Sequence, residues 1–327
     1  MWNLIRPYIR RGYRVYDGLF GFIYDSLRFV RFGGWPEDMT DPDQRMYNII
    51  MIYHGLEKSL SYKQRNITSG WRQASLLMQL LKISNDAGQV TCHDKAAKQV
   101  LEKFISLPEN VDIEKSLKIK LQLKELNFFD EANHGVKELT VADFRKGVLE
   151  SPEDFFCSRY SLREFKEEVV SESLIMRAVK LALKTPSVCN RQAWCIYHTS
   201  DSEVKNMVLK YQTGNRPFGE RAPNLLLITT DLKAFFAGSE HYQHWIDGGL
   251  LAMSLMYALH SLGLASCALN WSQKPVVDMK FRKHLSIKPN HTVILVLLVG
   301  FPDENNKVCV SLRRSIEEVF TTLEIKS

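Results

Sequence analysis

The sequence predicts an α+β fold in the second half of the chain, preceded by an all-helical region. After residue 151, apolar runs of strand length alternate with stretches of helical periodicity. Between residues 37 and 150, helical patterns dominate and strand-like stretches are scarce. The composition, 45% hydrophobic and 24% charged, is that of an ordinary globular protein. We therefore divide the chain into a segment at 1–36, a helical region at 37–150 and a sheet domain at 151–327.

The first segment is amphipathic, basic and rich in aromatic residues. Before Pro36, six arginines stand against two aspartates, a net charge of +4. One interpretation is a helix that packs on the rest of the protein or on a dimer partner, the commoner use of an apolar stripe. The other is a helix that lies on a membrane surface with anionic lipids. The apolar residues at helical spacing are Ile5, Ile9, Tyr16, Phe20, Ile23, Leu27 and Val30.

The second region begins with a helix-start signal. Asp41 is a capping residue, Pro42 suits the first helical position, and Gln44 follows three residues after the cap. An apolar face from Met46 to Leu60 continues this helix. Further helical patterns cover 71–81, 95–105 and 113–126.

The third region alternates between helices and strands. We expect helices near 171–184, 203–211, 242–262 and 276–284, and a last helix from about Ser315. Strands are expected at 194–199, 224–230, 265–270 and 292–299. This order predicts a central sheet covered by helices.

Several classes of function lack sequence support. The chain has no GxGxxG after a strand, no GxxxxGK[ST], no HExxH and no GxSxG. None of the six cysteines falls in zinc-ligand spacing, so we expect reduced thiols and no metal site. Beyond Pro36 the charge is close to neutral, which disfavours nucleic-acid binding. Without a signal peptide or about 20 consecutive apolar residues, we expect a cytoplasmic protein.

Four polar clusters in the third region could carry chemistry. Arginine and serine in Arg159–Arg163 offer fixed charge and a short donor for phosphate oxygens. The loop Thr185–Trp194 supplies a hydroxyl and two carboxamides, which match the donors and acceptors of a heterocycle edge. A strand ending at Leu269 and Asn270 could aim backbone N–H groups at a planar ligand, and Ser311–Ser315 adds a second cationic site. The alternative for each cluster is a helix cap, a connecting loop or solvated surface charge.

Taken in this order, the clusters resemble the nitroreductase family of FMN flavoproteins over about residues 151–320. The family's arginine–serine–basic pattern corresponds to Arg159, Ser161 and Arg163, and its glycine–leucine turn to Gly263 and Leu264. Its C-terminal arginine corresponds to Arg313, with Arg314 as the alternative. The family's proline–serine, asparagine, glutamine and aromatic positions are Pro186, Ser187, Asn190, Gln192 and Trp194.

The resemblance implies a nitroreductase-type mixed sheet, an intertwined homodimer with FMN at the interface, and ping-pong electron transfer from NAD(P)H to a small-molecule substrate. Arg159 and Arg313 would hold the phosphate, and Arg163 would lie near flavin N1 and O2. The Asn270 backbone N–H would face flavin N5. The remaining cofactor contacts would come from Tyr160, Ser161, Pro186, Ser187, Asn190, Gln192, Asn215, Leu269 and Arg314.

The chain also departs from the family pattern. Ala193, Gly219 and Ala222 stand where proline, asparagine and lysine are usual, and the stretch 231–245 is short where other members carry a helical lid. The pocket above the flavin is then either open or closed by the N-terminal half.

The N-terminal half resembles a subgroup with a His-x-x-Glu-Lys pattern, here His54, Glu57 and Lys58, that is associated with polysaccharide biosynthesis. His54 and Glu57 could act as acid and base, or form a surface set beside the core. The rival functions are a dehydrogenase of a sugar or peptide intermediate and a catalytically inactive assembly protein at a membrane-associated polysaccharide-synthesis complex. Membrane contact would then be peripheral, at the inner face.

Overall fold

The computed structural model describes residues 2–111 and 113–325, with side chains from residue 5 onward. Its N-terminal part is helical: α1 Trp2–Phe32, α2 Pro42–Ser61, α3 Trp71–Asp86, α4 Cys92–Ile105 and α5 Glu114–Lys124. The expected helix start is confirmed, since Asp41 accepts hydrogen bonds from the backbone N–H groups of Asp43 (2.9 Å) and Gln44 (3.2 Å). Two short helices, α6 Val141–Arg145 and α7 Pro152–Cys157, lead into the second half.

The second half is a sheet with helices on it, as expected. Its helices are α8 Glu172–Ala182, α9 Ser202–Tyr211, α10 Gln243–Ser261 and α11 Pro275–Arg282. The strands are β1 Trp194–Thr199, β2 Asn224–Asp231, β3 Ala265–Asn270 and β4 His291–Gly300, in the order β1-β2-β4-β3. All four pair antiparallel, and one isolated parallel bridge, Ser161 to Ser266, lies beside β3 at the edge of the sheet.

The apolar core lies on both faces of this sheet and continues into the helices. One cluster, which contains Leu251 and Leu255 of α10, packs on one face, and another, which contains Phe281, fills the other face. A third cluster joins α2–α5 to Ala193 and Phe235 of the sheet domain. Polar contacts reinforce this joint: the Tyr47 hydroxyl donates to Asp231 over 3.2 Å.

The C-terminal end of the chain differs from the sequence expectation. The last helix expected from Ser315 is absent from the described residues, where only turns follow, such as the bond from the Phe320 N–H to the Ile316 carbonyl. The apolar side chains of the tail are not buried by the part of the chain that the structure describes, since Leu312 and Leu323 are 95% and 96% exposed. Without burial of an apolar face, such a short helix has little to stabilise it.

Helix α1 is continuous despite its three internal glycines. Among the described residues, no helix has the length and hydropathy needed to cross a bilayer. Its second half lies against the sheet domain, where the Tyr24 hydroxyl donates to Asp278 over 2.7 Å. Arg28 donates to the main-chain carbonyl of His291 over 2.9 Å.

Candidate flavin site

Arg159, Ser161 and Arg163 lie on an extended segment that runs beside β3. The Leu162 N–H donates to the Ser266 carbonyl over 3.1 Å, which fixes this segment against the strand. Because side chains alternate along an extended chain, Leu162 is buried while Ser161 and Arg163 point outward.

The C-terminal tail completes a cationic cleft at this place. A cavity of about 410 Å³ is lined by Arg159, Tyr160, Ser161, Arg163 and Arg313. Within residues 2–111 and 113–325, none of the three arginines pairs with a carboxylate. A phosphate dianion would supply the missing partners, because guanidinium groups bind phosphate oxygens with charge-assisted hydrogen bonds. The cleft therefore fits the phosphate end of FMN.

The structure also distinguishes the two neighbouring C-terminal arginines. Arg314 turns away from the cleft and pairs with Glu318 over 3.1 Å. Arg163 lies with its guanidinium 5.7 Å from the centre of the Phe218 ring and donates to the Cys309 sulfur over 3.5 Å.

The loop Thr185–Trp194 is held in an unusual conformation. Cys189, Asn190 and Gln192 all have positive φ angles, of 50°, 55° and 52°, in the region that favours glycine. Ser187 Oγ accepts from the Gln192 N–H over 3.0 Å, and Gln192 Nε2 donates to the Asn190 carbonyl over 3.2 Å. Such backbone strain persists only where the surroundings enforce it, and it is concentrated at functional sites.

Arg191 anchors this loop to the rest of the protein. Its side chain is 1% exposed, donates to the Ala234 carbonyl over 2.7 Å and pairs with Glu240. The Val188 N–H is held in turn by the Asp247 carboxylate, 3.2 Å away. Sequence reasoning missed Arg191 and Glu240, because nothing in the loop pattern shows that this arginine points into the protein.

The two predicted parts of the site lie at opposite edges of the sheet. The cationic cleft flanks β3, whereas the Thr185–Trp194 loop leads into β1. Three strand spacings separate these edges, about 14 Å. One protomer therefore does not bring Arg159 and Ser187 together.

Asn270 ends β3, and its neighbourhood is polar. Its carbonyl accepts from Gln212 Nε2 over 3.0 Å, and its side chain donates to Ser272 Oγ over 3.1 Å. Leu269 is 5% exposed and its side chain belongs to the core. Contact between Leu269 and the flavin stays a prediction.

Asn215 has a clear structural duty. Its side-chain amide donates to the carbonyls of Leu209 (2.8 Å) and Gln212 (2.6 Å), so it closes the turn after α9. A Cβ on Gly219 would lie 2.8 Å from the Asn215 Cβ, which explains why this chain has glycine where asparagine is usual. Contact between Asn215 and the flavin stays a prediction.

His54 and Glu57 pair on α2, with 3.3 Å between His54 Nδ1 and Glu57 Oε2. Burial raises the pKa of Glu57, and the hydrogen bond from His54 partly offsets this rise. Neither side chain lines the cationic cleft. An acid–base role for the pair stays a prediction.

A second cavity, of about 300 Å³, lies beside Asn270 and is walled by α1. Asn270 and Trp271 face Tyr24 and Arg28 across it, with Trp245 of α10 at its side. The segment 231–245 is short, and α1 occupies the space next to it. The sequence left two alternatives for the pocket above the flavin, open or closed by the N-terminal half. In the structure, α1 covers the end of the sheet at Asn270.

Comparisons with known proteins agree with this architecture. A family model described as Nitroreductase family matches residues 157–213 and 198–301. A protein of Archaeoglobus fulgidus named as an NADH dehydrogenase/NAD(P)H nitroreductase is 25% identical over 151 residues, which cover 45% of this chain and 83% of that protein.

Solved structures with the same kind of name were also found. A nitroreductase with bound FMN from Desulfitobacterium hafniense is 21% identical, with a TM-score of 0.42, and covers 54% of this chain and all of its own. An NADH dehydrogenase/NAD(P)H nitroreductase from Parabacteroides distasonis is 16% identical, with a TM-score of 0.47 and the same coverage.

The four-stranded sheet and its covering helices define the second half of the chain as an α+β domain. Residues 157–213 and 198–301 match the model of the nitroreductase family, and this similarity supports an FMN-dependent oxidoreductase.

Proposed function

We propose that this chain transfers electrons from NAD(P)H to a small-molecule substrate by a ping-pong reaction on FMN. The observation that carries the proposal is the cleft of about 410 Å³ with three arginines that lack carboxylate partners among the described residues. Arg159, Arg163 and Arg313 would hold FMN, and the bound FMN would supply the chemistry of hydride and electron transfer. The protein has to bind and orient the cofactor and both substrates.

The residues of the cleft divide this work. Arg159 and Arg313 hold the phosphate with the Ser161 hydroxyl, because fixed positive charge matches a dianion. Arg163 supplies positive charge nearer the ring, where negative charge develops on reduction. The Asn270 backbone lies at the far end of β3, next to the cavity that α1 walls.

We further propose that the active form is a homodimer. Since Ser187, Asn190 and Gln192 lie at the opposite edge of the sheet from Arg159, a partner's loop would have to complete each site. Two surfaces support this arrangement. Ile246 and Leu250 of α10 are 52% and 44% exposed, and Leu312 and Leu323 of the C-terminal tail are 95% and 96% exposed.

We propose that the chain acts in polysaccharide biosynthesis at the inner face of a membrane.

The second candidate function is an assembly protein that keeps the fold and lacks turnover. It is favoured by α1, whose apolar side chains Leu27 and Val30 are 64% and 66% exposed and so free for a partner. Oxidation of NAD(P)H under single-turnover conditions separates the two candidates, because an assembly protein without turnover would leave NAD(P)H unchanged.

The direct test is FMN binding to purified protein and to three arginine variants. Arg159→Ala and Arg163→Ala should each weaken FMN binding about 10- to 100-fold, since hydrogen bonds to charged groups contribute about 1.5–3 kcal/mol. Arg314→Ala is the matched control, because Arg314 pairs with Glu318 outside the cleft. Protein that shows no flavin spectrum and does not bind added FMN would refute the proposal.

A further inference from the structure

As far as Arg28, helix α1 contacts the protein through its polar side, and only its last turn, with Phe29 and Phe32, packs into the core. Asp17 pairs with Lys274 over 3.2 Å, Tyr24 donates to Asp278 over 2.7 Å, and Arg28 reaches the His291 carbonyl over 2.9 Å. Amphipathic helices of globular proteins normally bury the apolar stripe instead. The orientation of α1 is therefore the reverse of the usual one.

The apolar stripe of α1 consequently faces outward along nearly the whole helix. From Ile5 to Val30 the rise of 1.5 Å per residue gives a length of about 38 Å. The stripe contains large side chains that are all more than one third exposed: Ile5, Tyr8, Ile9, Tyr16, Leu19, Phe20, Ile23, Leu27 and Val30. A patch of this length and composition marks an interaction surface.

The charges of α1 indicate what covers this surface. Arg6, Arg10, Arg11 and Arg14 have no carboxylate partner in the part of the chain that the structure describes. A second copy packed against the apolar stripe would leave these arginines without partners, so it would not account for their charge. An anionic lipid surface offers the opposite charge, and tyrosine and phenylalanine suit the boundary between lipid headgroups and acyl chains.

We propose that α1 is an interfacial helix that lies in the surface of an anionic bilayer, with its apolar stripe in the lipid. Its other side walls the cavity beside Asn270, so membrane binding holds that cavity at the bilayer. The membrane contact stands on the orientation and charge of α1. Only the role of the cavity in catalysis rests on the proposed function.

The test uses the full chain and vesicles of phosphatidylglycerol or phosphatidylcholine in sedimentation assays. We expect binding to phosphatidylglycerol and at least about tenfold weaker binding to phosphatidylcholine. The double variant Ile23→Glu, Leu27→Glu should lose at least about tenfold in binding to phosphatidylglycerol, because it places two charges in the apolar stripe. Leu121→Glu, Val141→Glu is the matched control, since both residues are exposed and lie outside α1.

A second pair of substitutions tests the electrostatic part. Arg10→Ala, Arg14→Ala should weaken phosphatidylglycerol binding about 30-fold, since each basic residue near an anionic surface contributes about fivefold. Equal binding of the parent to both lipids, or full binding by the Ile23→Glu, Leu27→Glu variant, would overturn the proposal. So would a change from dimer to monomer in that variant without lipid, because the stripe would then cover a second copy.

The same samples keep the two proposals apart. FMN content and NAD(P)H oxidation are measured for each variant in solution and should match the parent. Vesicle binding by protein that holds no FMN would count against the proposed function and leave the membrane helix standing. Active protein that contains FMN but binds neither kind of vesicle would count against the membrane helix and leave the proposed function standing.

Discussion

Acidification should destabilise the protein through His244, which lies buried near the start of α10. The ring packs 5.9 Å, centroid to centroid, from both Phe29 of α1 and Phe235 of the sheet domain. Burial, followed by the positive charges of Arg28 and His241, lowers the pKa of His244 to about 4. Its Nδ1 atom is buried without a hydrogen-bond partner among the described residues.

The sign and size follow from proton linkage. The unfolded chain binds a proton at His244 with a pKa near 6.5, whereas the folded chain resists protonation until about pH 4. Stability is therefore unaffected well above pH 6.5 and falls as the pH drops from 6.5 towards 4. This one residue should cost about 2 kcal/mol between pH 8 and pH 5, and about 3 kcal/mol by pH 4.

Urea unfolding at pH 8 and pH 5 measures this contribution as a difference between variants. His244→Phe and His244→Gln should each reduce the pH-dependent loss of stability by about 2 kcal/mol, since neither residue titrates. The phenylalanine variant should also be the more stable at pH 8, because it removes an unpaired buried polar atom. If both variants lose as much stability on acidification as the parent does, His244 is not the acid-sensitive group.

Three further predictions concern stability and are read from unfolding midpoints. Leu77→Ala should lower the free energy of unfolding by about 3 kcal/mol because Leu77 is fully buried. Leu76→Ala, at a neighbour that is 42% exposed, should lower it by less than about 1 kcal/mol. Equal losses would contradict this placement of α3. Gly248→Ala should destabilise the protein by about 1–3 kcal/mol, since its Cβ would lie 2.5 Å from Ile294 Cγ1. Gly249→Ala should stabilise it by about 1 kcal/mol, because the added Cβ meets nothing within 4 Å. The opposite order would show that the other face of α10 packs on β4. Tyr47→Phe should cost about 1 kcal/mol through the lost bond to Asp231, and no cost would remove that bond from the joint between helices and sheet.

Local sequence patterns predicted the secondary structure well because they report local causes. The strand expected at 265–270 is observed with the same bounds, and the cap at Asp41 forms as the sequence indicates. Alternating burial in a strand and side-chain capping at a helix start depend on residues a few positions apart, so the sequence contains the whole signal.

The orientation of α1 could not be predicted in this way. Periodicity shows that the helix has two faces, but it does not say which face contacts the protein. That choice depends on Lys274, Asp278 and the His291 carbonyl, which are more than 250 positions away along the chain. The same limit applies to the site: the order of Arg159 and Ser187 in the sequence does not show that they lie at opposite sheet edges.

The tail after β4 shows a further limit of local patterns. The sequence predicts a last helix from about Ser315, yet Ile316 and Phe320 of this segment are 67% and 72% exposed. A helical pattern becomes a helix in water mainly where tertiary contacts stabilise it.

The apolar cluster that joins α2–α5 to Ala193 and Phe235 has a consequence for how the protein folds and varies. Residue 150 marks a change of secondary structure, yet the core runs across it without a break. The flavin domain alone would present Phe235 and its neighbours to water, so its folding should be cooperative with that of the helices. A substitution on the helical side of the cluster would then have to be accommodated by the sheet side, and the converse. The two halves would therefore evolve together as one unit.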